Sequence, residues 1–138
     1  MMNKKLKIGV VGLKRGQIHA LNAIKASNVE LTAICDIDKE RADSIKKSFP
    51  DSVKVYYNHK ELCEDSNVDA VVMATPIDVH AETVIDALNA GKHVLSEVIV
   101  ATTIDDIYRI GEAIKKSKKK YMMAENYCYI RPLLIVEN

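Results

Sequence analysis

The stretch Ile8-Gly-Val-Val-Gly12-Leu13-Lys14-Arg15-Gly16-Gln-Ile-His19 decides how this chain is read. An apolar strand runs into a glycine-punctuated turn, and the turn opens a helix. Bare backbone and the N–H groups of a helix N-terminus suit the oxygens of a dinucleotide pyrophosphate, so Gly12, Leu13, Lys14, Arg15 and Gly16 are the expected phosphate turn. The spacing departs from G-x-G-x-x-G, because Lys14 stands where a second glycine would let the backbone close on the phosphates. A second apolar run, Leu31 to Cys35, ends at Asp36 and Ile37. This is about the 20-residue spacing at which an acid meets the ribose hydroxyls of such a ligand.

Outward from this unit, strand-like runs alternate with segments of helical period. The strands are expected at Leu6–Val11, Leu31–Cys35, Val53–Tyr56, Ala70–Ala74, His93–Leu95 and Tyr121–Ala124. The first helix is expected near 16–27 with Leu21 and Ile24 inward. Asp38 caps the second, which carries Ala42, Ile45 and Phe49 on one face and stops at Pro50. A helix from about Asp78 to Ala90 carries Ala81, Val84, Ile85 and Leu88 on a stripe and ends at Gly91. Thr103 and Asp106 open the last helix, with Ile107, Ile110, Gly111 and Ile114 as its apolar repeat. The fold class is therefore α/β: a single doubly wound domain with a parallel sheet in the order 3-2-1-4-5-6. Its crevice lies at the carboxyl ends of strands one and four.

A chain of 138 residues with 48% hydrophobic and 28% charged residues supports one core. A net charge of +1 offers no electrostatic case for a nucleic acid or an anionic membrane as partner. No apolar run approaches a membrane span and no signal-peptide core follows the N-terminus, so a cytoplasmic location is expected. Cys35, Cys63 and Cys128 are scattered and lack metal or redox spacing, which fits packed, reduced thiols. His19, His59, His80 and His93 show no zinc-like pairing, so no metal is expected. The lysines from Lys115 to Lys120 read as the solvated end of a helix.

Three further elements border the crevice by topology: the Ala74-Thr75-Pro76 turn after strand four, His80 in the following helix, and Glu97 after strand five. His80 and Glu97 are both expected to point into it.

Taken together, G-V-V-G-L, I-C-D-I-D, A-T-P-x-x-V-H, A-L-N-A-G-K-H-V-L-S-E and M-M-A-E-N-Y-C-Y resemble the N-terminal domain of the Gfo/Idh/MocA oxidoreductases over about residues 5–132. The block Ala90 to Glu97 is the most specific part. The resemblance implies a Rossmann fold that binds NAD or NADP and serves oxidation or reduction of a sugar-like hydroxyl. It places Gly12 and Gly16 at the phosphate turn, Asp36 on the ribose, and Ala74, Thr75 and Pro76 on the nicotinamide side. His80 matches the family histidine, and Glu97 the glutamate of an E-K-P motif. Val98 and Ile99 replace the lysine and proline of that motif, so no catalytic residue is assigned. NAD is expected over NADP, because Asp36 repels a 2′-phosphate.

Residues 1–132 are read as the NAD(P)-binding domain and 133–138 as the start of a connection to a substrate domain outside this chain. The run Leu133-Leu134-Ile135-Val136 is expected to drive homo-oligomerisation if left uncovered. Two functional readings stay open. One is the nucleotide-binding domain of an oxidoreductase acting on a sugar, polyol or related hydroxy compound, inactive by itself. The other is a non-catalytic dinucleotide-binding or sensing module, or a truncated remnant.

Overall fold

The computed structural model describes residues 5–126. Six strands form one sheet: β1 (Leu6–Val11), β2 (Val29–Cys35), β3 (Lys54–Tyr56), β4 (Ala70–Met73), β5 (His93–Ser96) and β6 (Tyr121–Met123). Their order is β3-β2-β1-β4-β5-β6, and every neighbouring pair is parallel. Five helices complete the fold: α1 (Leu13–Lys25), α2 (Lys39–Lys46), α3 (His59–Glu64), α4 (Ile77–Asn89) and α5 (Ile104–Ser117). The expected architecture and strand order are observed, and the C-terminal run from Leu133 lies outside the described residues.

Two apolar layers sandwich the sheet. Val10, Leu13, Ala20, Ala23, Ile34, Ala42 and Phe49 join α1 and α2 to one face. Leu62, Val71, Met73, Val84, Leu88, Ile110 and Ala113 join α3, α4 and α5 to the other. Side chains along β4 alternate between the layers, with Val71 and Met73 on one side and Val72 on the other, as a pleated strand buried on both faces requires. In β2 the alternation slips once. The β1–β2 register passes from Ile8↔Leu31 to Gly9↔Ala33, leaving Thr32 as the extra residue of a bulge. Its hydroxyl lies 3.2 Å from the Ile8 carbonyl and 3.0 Å from the Asn67 carbonyl. That slip is why Leu31 and Ile34 face the same layer.

Helix α1 starts earlier than its apolar period suggested, and it buries a different face. Leu13, Gly16, Ala20 and Ala23 meet the sheet, whereas Leu21 and Ile24 are 38% and 45% exposed. The cause is close packing, because a Cβ on Gly16 would stand 2.8 Å from Val10 Cγ1. Small residues let the helix settle on the strand, and the larger aliphatics are turned outward. In α5 the buried positions are Ile110 and Ala113, while Ile107 is 50% exposed. The caps follow expectation. Asp38 accepts from the Arg41 N–H, and Thr103 accepts from the Asp106 N–H while its own hydroxyl donates to the Asp106 carboxylate. Gly91 closes α4 with φ 76°.

The lysine tract is not one helical end, since only Lys115 and Lys116 lie in the last turn of α5. Lys118 caps it in the left-handed region, at φ 55° and ψ 23°, a conformation that costs a residue with a Cβ about 1 kcal/mol. Lys118→Gly should therefore raise the stability measured by urea unfolding, by about 0.5–1 kcal/mol. A loss of stability in that variant would contradict the assignment.

Candidate functional site

At the carboxyl ends of β1, β2, β4 and β5 the sheet opens into a cleft of about 1040 Å³. It sits where the strand order reverses, because α1 leaves β1 on one face and α4 leaves β4 on the other. Gly12, Lys14, Arg15, Asp36, Ile37, Ala74, Thr75, Pro76, Glu97 and Val98 all line it. The remaining sequence-predicted residues do not. Leu13 and His80 are buried, and Gly16, within α1, packs against Val10 of β1.

Gly12 adopts φ 85°, and a Cβ there would stand 2.4 Å from the Ala74 carbonyl oxygen. No other residue type fits the turn without pushing β1 and β4 apart. The next N–H groups open α1, whose N-cap Gly12 supplies no side-chain cap and whose first turn holds no acid. Asp36 takes the first of these N–H groups, at Leu13, and those of Lys14 and Arg15 that follow favour a further anion.

Asp36 is 6% exposed. Its Oδ2 accepts the Leu13 N–H at 2.8 Å and its Oδ1 the Asp38 N–H at 3.0 Å. The acid thereby ties the end of β2 to the start of α1. Beside it, Cys35 is buried, and burial, with the neighbouring Asp36 charge, pushes its thiol up to about 12. Burial does the same to Cys63, so both remain thiols, while Cys128 lies outside the described residues.

His80 does not point into the cleft, because it is only 2% exposed. Its Nδ1 lies 3.1 Å from Thr75 Oγ1, which in turn lies 3.0 Å from Thr83 Oγ1. Thr83 donates its one proton to the His80 carbonyl, so Thr75 donates to Thr83 and accepts from Nδ1–H. Nε2 is left without a hydrogen-bond partner among the described residues, and the backbone and charge of Glu97 favour the protonated ring. Burial holds the imidazole below its usual range despite these neighbours, so it is neutral at pH 7. His80 therefore supports the Thr75 turn from behind the cleft.

The opposite end of the cleft is charged. Glu97 Oε1 lies 2.5 Å from His19 Nε2 and 3.6 Å from Arg15 Nε. Burial would push the Glu97 carboxyl up, but the hydrogen bond and charge of His19, with the charge of Arg15, outweigh it and hold the group below its usual range. Val98 presents only methyl groups beside it.

Sequence reasoning missed several lining residues. Arg41 and His59 enter the cleft from α2 and α3, and Ile18, Val79 and Thr83 complete its walls. Arg41 left one usable trace, its position three residues after the Asp38 cap. His59 left none, since its pairing with Asp86 at 2.8 Å is tertiary. Among the described residues no group of three or more His, Cys, Asp or Glu side chains could hold a metal ion. None of their helices is long and apolar enough to cross a membrane.

The family model for the oxidoreductase family with an NAD-binding Rossmann fold, GFO_IDH_MocA, matches residues 6–125. The chain belongs to this family, as its NAD-binding Rossmann domain. It is 34% identical to a probable dehydrogenase from Thermotoga maritima, with a TM-score of 0.88 over 96% of this chain and 39% of that one. It is 30% identical to the scyllo-inositol dehydrogenase of Lactobacillus casei solved with bound NAD(H) and scyllo-inositol, with a TM-score of 0.87 over 97% of this chain and 40% of that one. An alpha-N-acetylgalactosaminidase from Shewanella oneidensis is 31% identical over 142 residues, which span 96% of this chain and 31% of that protein. The chain thus spans about a third of the length of such curated relatives.

The Glu97 contact generates a direct test. In His19→Ala the main partner is gone and burial dominates, so the Glu97 carboxyl should titrate higher than in the unaltered chain when followed by carbon NMR. Because the native carboxyl is held below its usual value of 4.5, its stabilising effect is complete above that value and is lost as pH falls through the lowered one. The stability gap between the two proteins should accordingly narrow on acidification from pH 6 to pH 3. An unmoved Glu97 titration would contradict the pairing.

Proposed function

We propose that this domain binds NAD along the cleft, as the nucleotide-binding part of a larger protein acting on a sugar, polyol or related hydroxy compound. The observation that carries this reading is the start of α1 after Gly12, where Asp36 at the adjacent strand end takes the Leu13 N–H and no side chain of the N-cap residue covers the N–H groups that follow. The pyrophosphate would take the open N–H groups of Lys14 and Arg15, and Asp36 the adenosine ribose. The nicotinamide end would lie along Ala74-Thr75-Pro76 towards Glu97. The carbonyl of Ala74 and the φ of Gly12 leave bare backbone where the phosphates pass, which fits a ligand that needs close approach.

When bound, a nicotinamide supplies hydride acceptance and donation. The chain's own residues bind and orient. Glu97, held ionised by His19 and Arg15, is no proton donor at neutral pH, and Val98 has no group to take a hydroxyl proton. Substrate positioning contributes about 7–11 kcal/mol in favourable cases, and we assign it to the rest of the protein, beyond residues 1–132. The domain alone is therefore expected to bind without turnover.

From the relatives we infer a second reading for the whole protein, cleavage of a glycosidic bond, which can be NAD-dependent. Relatives at 31–33% identity include proteins named as glycosyl hydrolases, among them the alpha-N-acetylgalactosaminidase. A net hydrolysis leaves the dinucleotide's redox state unchanged. Parallel assays of the full-length protein on polyols and on aryl glycosides separate the two.

Calorimetric titration of the chain with NAD and with NADP tests the binding reading. Asp36 stands where a 2′-phosphate of charge near −2 would lie, so NAD should be the tighter ligand at moderate salt. Absence of binding by either dinucleotide would refute the assignment, and tighter binding of NADP would refute the cofactor preference.

A further inference from the structure

Helix α5 carries two apolar stripes, and the domain buries one of them. Ile110 and Ala113 belong to the core between the sheet and α4. On the other side Ile104, Ile107 and Tyr108 are 72%, 50% and 72% exposed. With Gly111 they fall at i, i+3, i+4 and i+7, the spacing of a helix face that packs against a neighbour. Gly111 lies within this open stripe, and a Cβ added there would meet no atom within 4 Å. A glycine inside a helix destabilises it relative to alanine, and nothing among the described residues requires this one. Beside it, α4 and α5 leave a shallow hollow of about 440 Å³, bordered by Asn89, Tyr108, Glu112 and Lys116. Bare helix backbone next to a hollow suits a large side chain arriving from outside.

The charges along α5 identify where that side chain comes from. Asp105 and Asp106 stand in its first turn and Lys115 and Lys116 in its last. Asp106 is held by Thr103 and Arg109, and Lys115 by Glu112. Asp105 and Lys116 have no ion-pair partner among the described residues. Eleven residues separate them, close to three helical turns, so both stand on one flank of the open stripe. An antiparallel α5 from a second copy sets its lysine end against this acidic end, and its acidic end against this lysine end. A parallel one would oppose like charges at both ends.

We propose that this face of α5 docks a second copy of the chain, packed antiparallel across Gly111. Two-fold symmetry makes each contact occur twice: Tyr108 of each copy enters the hollow beside Gly111 of the other, and Asp105 of each pairs with Lys116 of the other. No residue of α5 lines the cleft, so the pairing leaves both clefts open.

Sedimentation velocity of the full chain over a range of concentrations tests the pairing, and the unaltered chain should form a dimer. Tyr108→Ser should weaken it about a hundredfold, since symmetry removes two aromatic anchors at once. Asp105→Lys should weaken it about tenfold, and adding Lys116→Asp to the same chain should restore most of the affinity, because both cross-copy pairs return with reversed signs. Gly111→Gln, a better helix former, should abolish the dimer while circular dichroism shows the helix content intact. A monomer at every concentration would overturn the proposal. So would a dimer that none of these changes weakens, the result expected if Leu133–Val136 held the copies together instead. A dimer weakened by Tyr108→Ser yet not rescued by the charge exchange would overturn the antiparallel arrangement.

Discussion

The structure depends on the approach of two strand ends, β1 and β4, through a backbone with no Cβ between them. Gly12 at φ 85° lies against the Ala74 carbonyl, where any side chain would overlap it. Because these two strands lie at the reversal of the sheet order, this contact also sets the floor of the cleft. A larger residue would separate the strands and close the route for a ligand backbone at once. Folding and binding therefore place the same demand on one position, and Gly16 adds a second by letting α1 settle on Val10.

From that floor the charges are distributed with a clear division. Asp36 at one wall is shared by two backbone N–H groups and a guanidinium; Glu97 at the other is held by His19 and Arg15. Both carboxylates are partners inside networks, and neither is presented as a lone acid. Between them runs the start of α1, whose N-cap residue supplies no side-chain cap. A cleft built in this way holds a long polar anion along its length better than it performs proton transfer at one point, in keeping with a nucleotide-binding domain in a family whose members carry further chain.

Much of this was legible in the sequence because it is local or periodic. Strand order followed from alternating apolar runs, and the caps Asp38, Thr103 and Gly91 could be read from residue type and spacing. The face of α1 could not, since hydrophobicity favours Leu21 and Ile24 while close packing selects Gly16, Ala20 and Ala23. Topology directs His80 towards the cleft, yet its ring is buried with Nδ1 on Thr75 Oγ1. The His19–Glu97 pair arises from side chains meeting across elements, for which sequence spacing carries no signal, and Arg41 left only its place three residues after the Asp38 cap.

The central claim is that the cleft at Gly12 is where this domain holds a dinucleotide. The most direct measurement is a map of backbone amide NMR shifts on addition of NAD to the chain. The account predicts the largest changes at the amides of Leu13 to Gly16, at Asp36 and Ile37, and at Thr75, with little change on the outer surface between α4 and α5. Changes concentrated near Tyr108 and Glu112 on that outer surface, with the Gly12 turn unmoved, would contradict it.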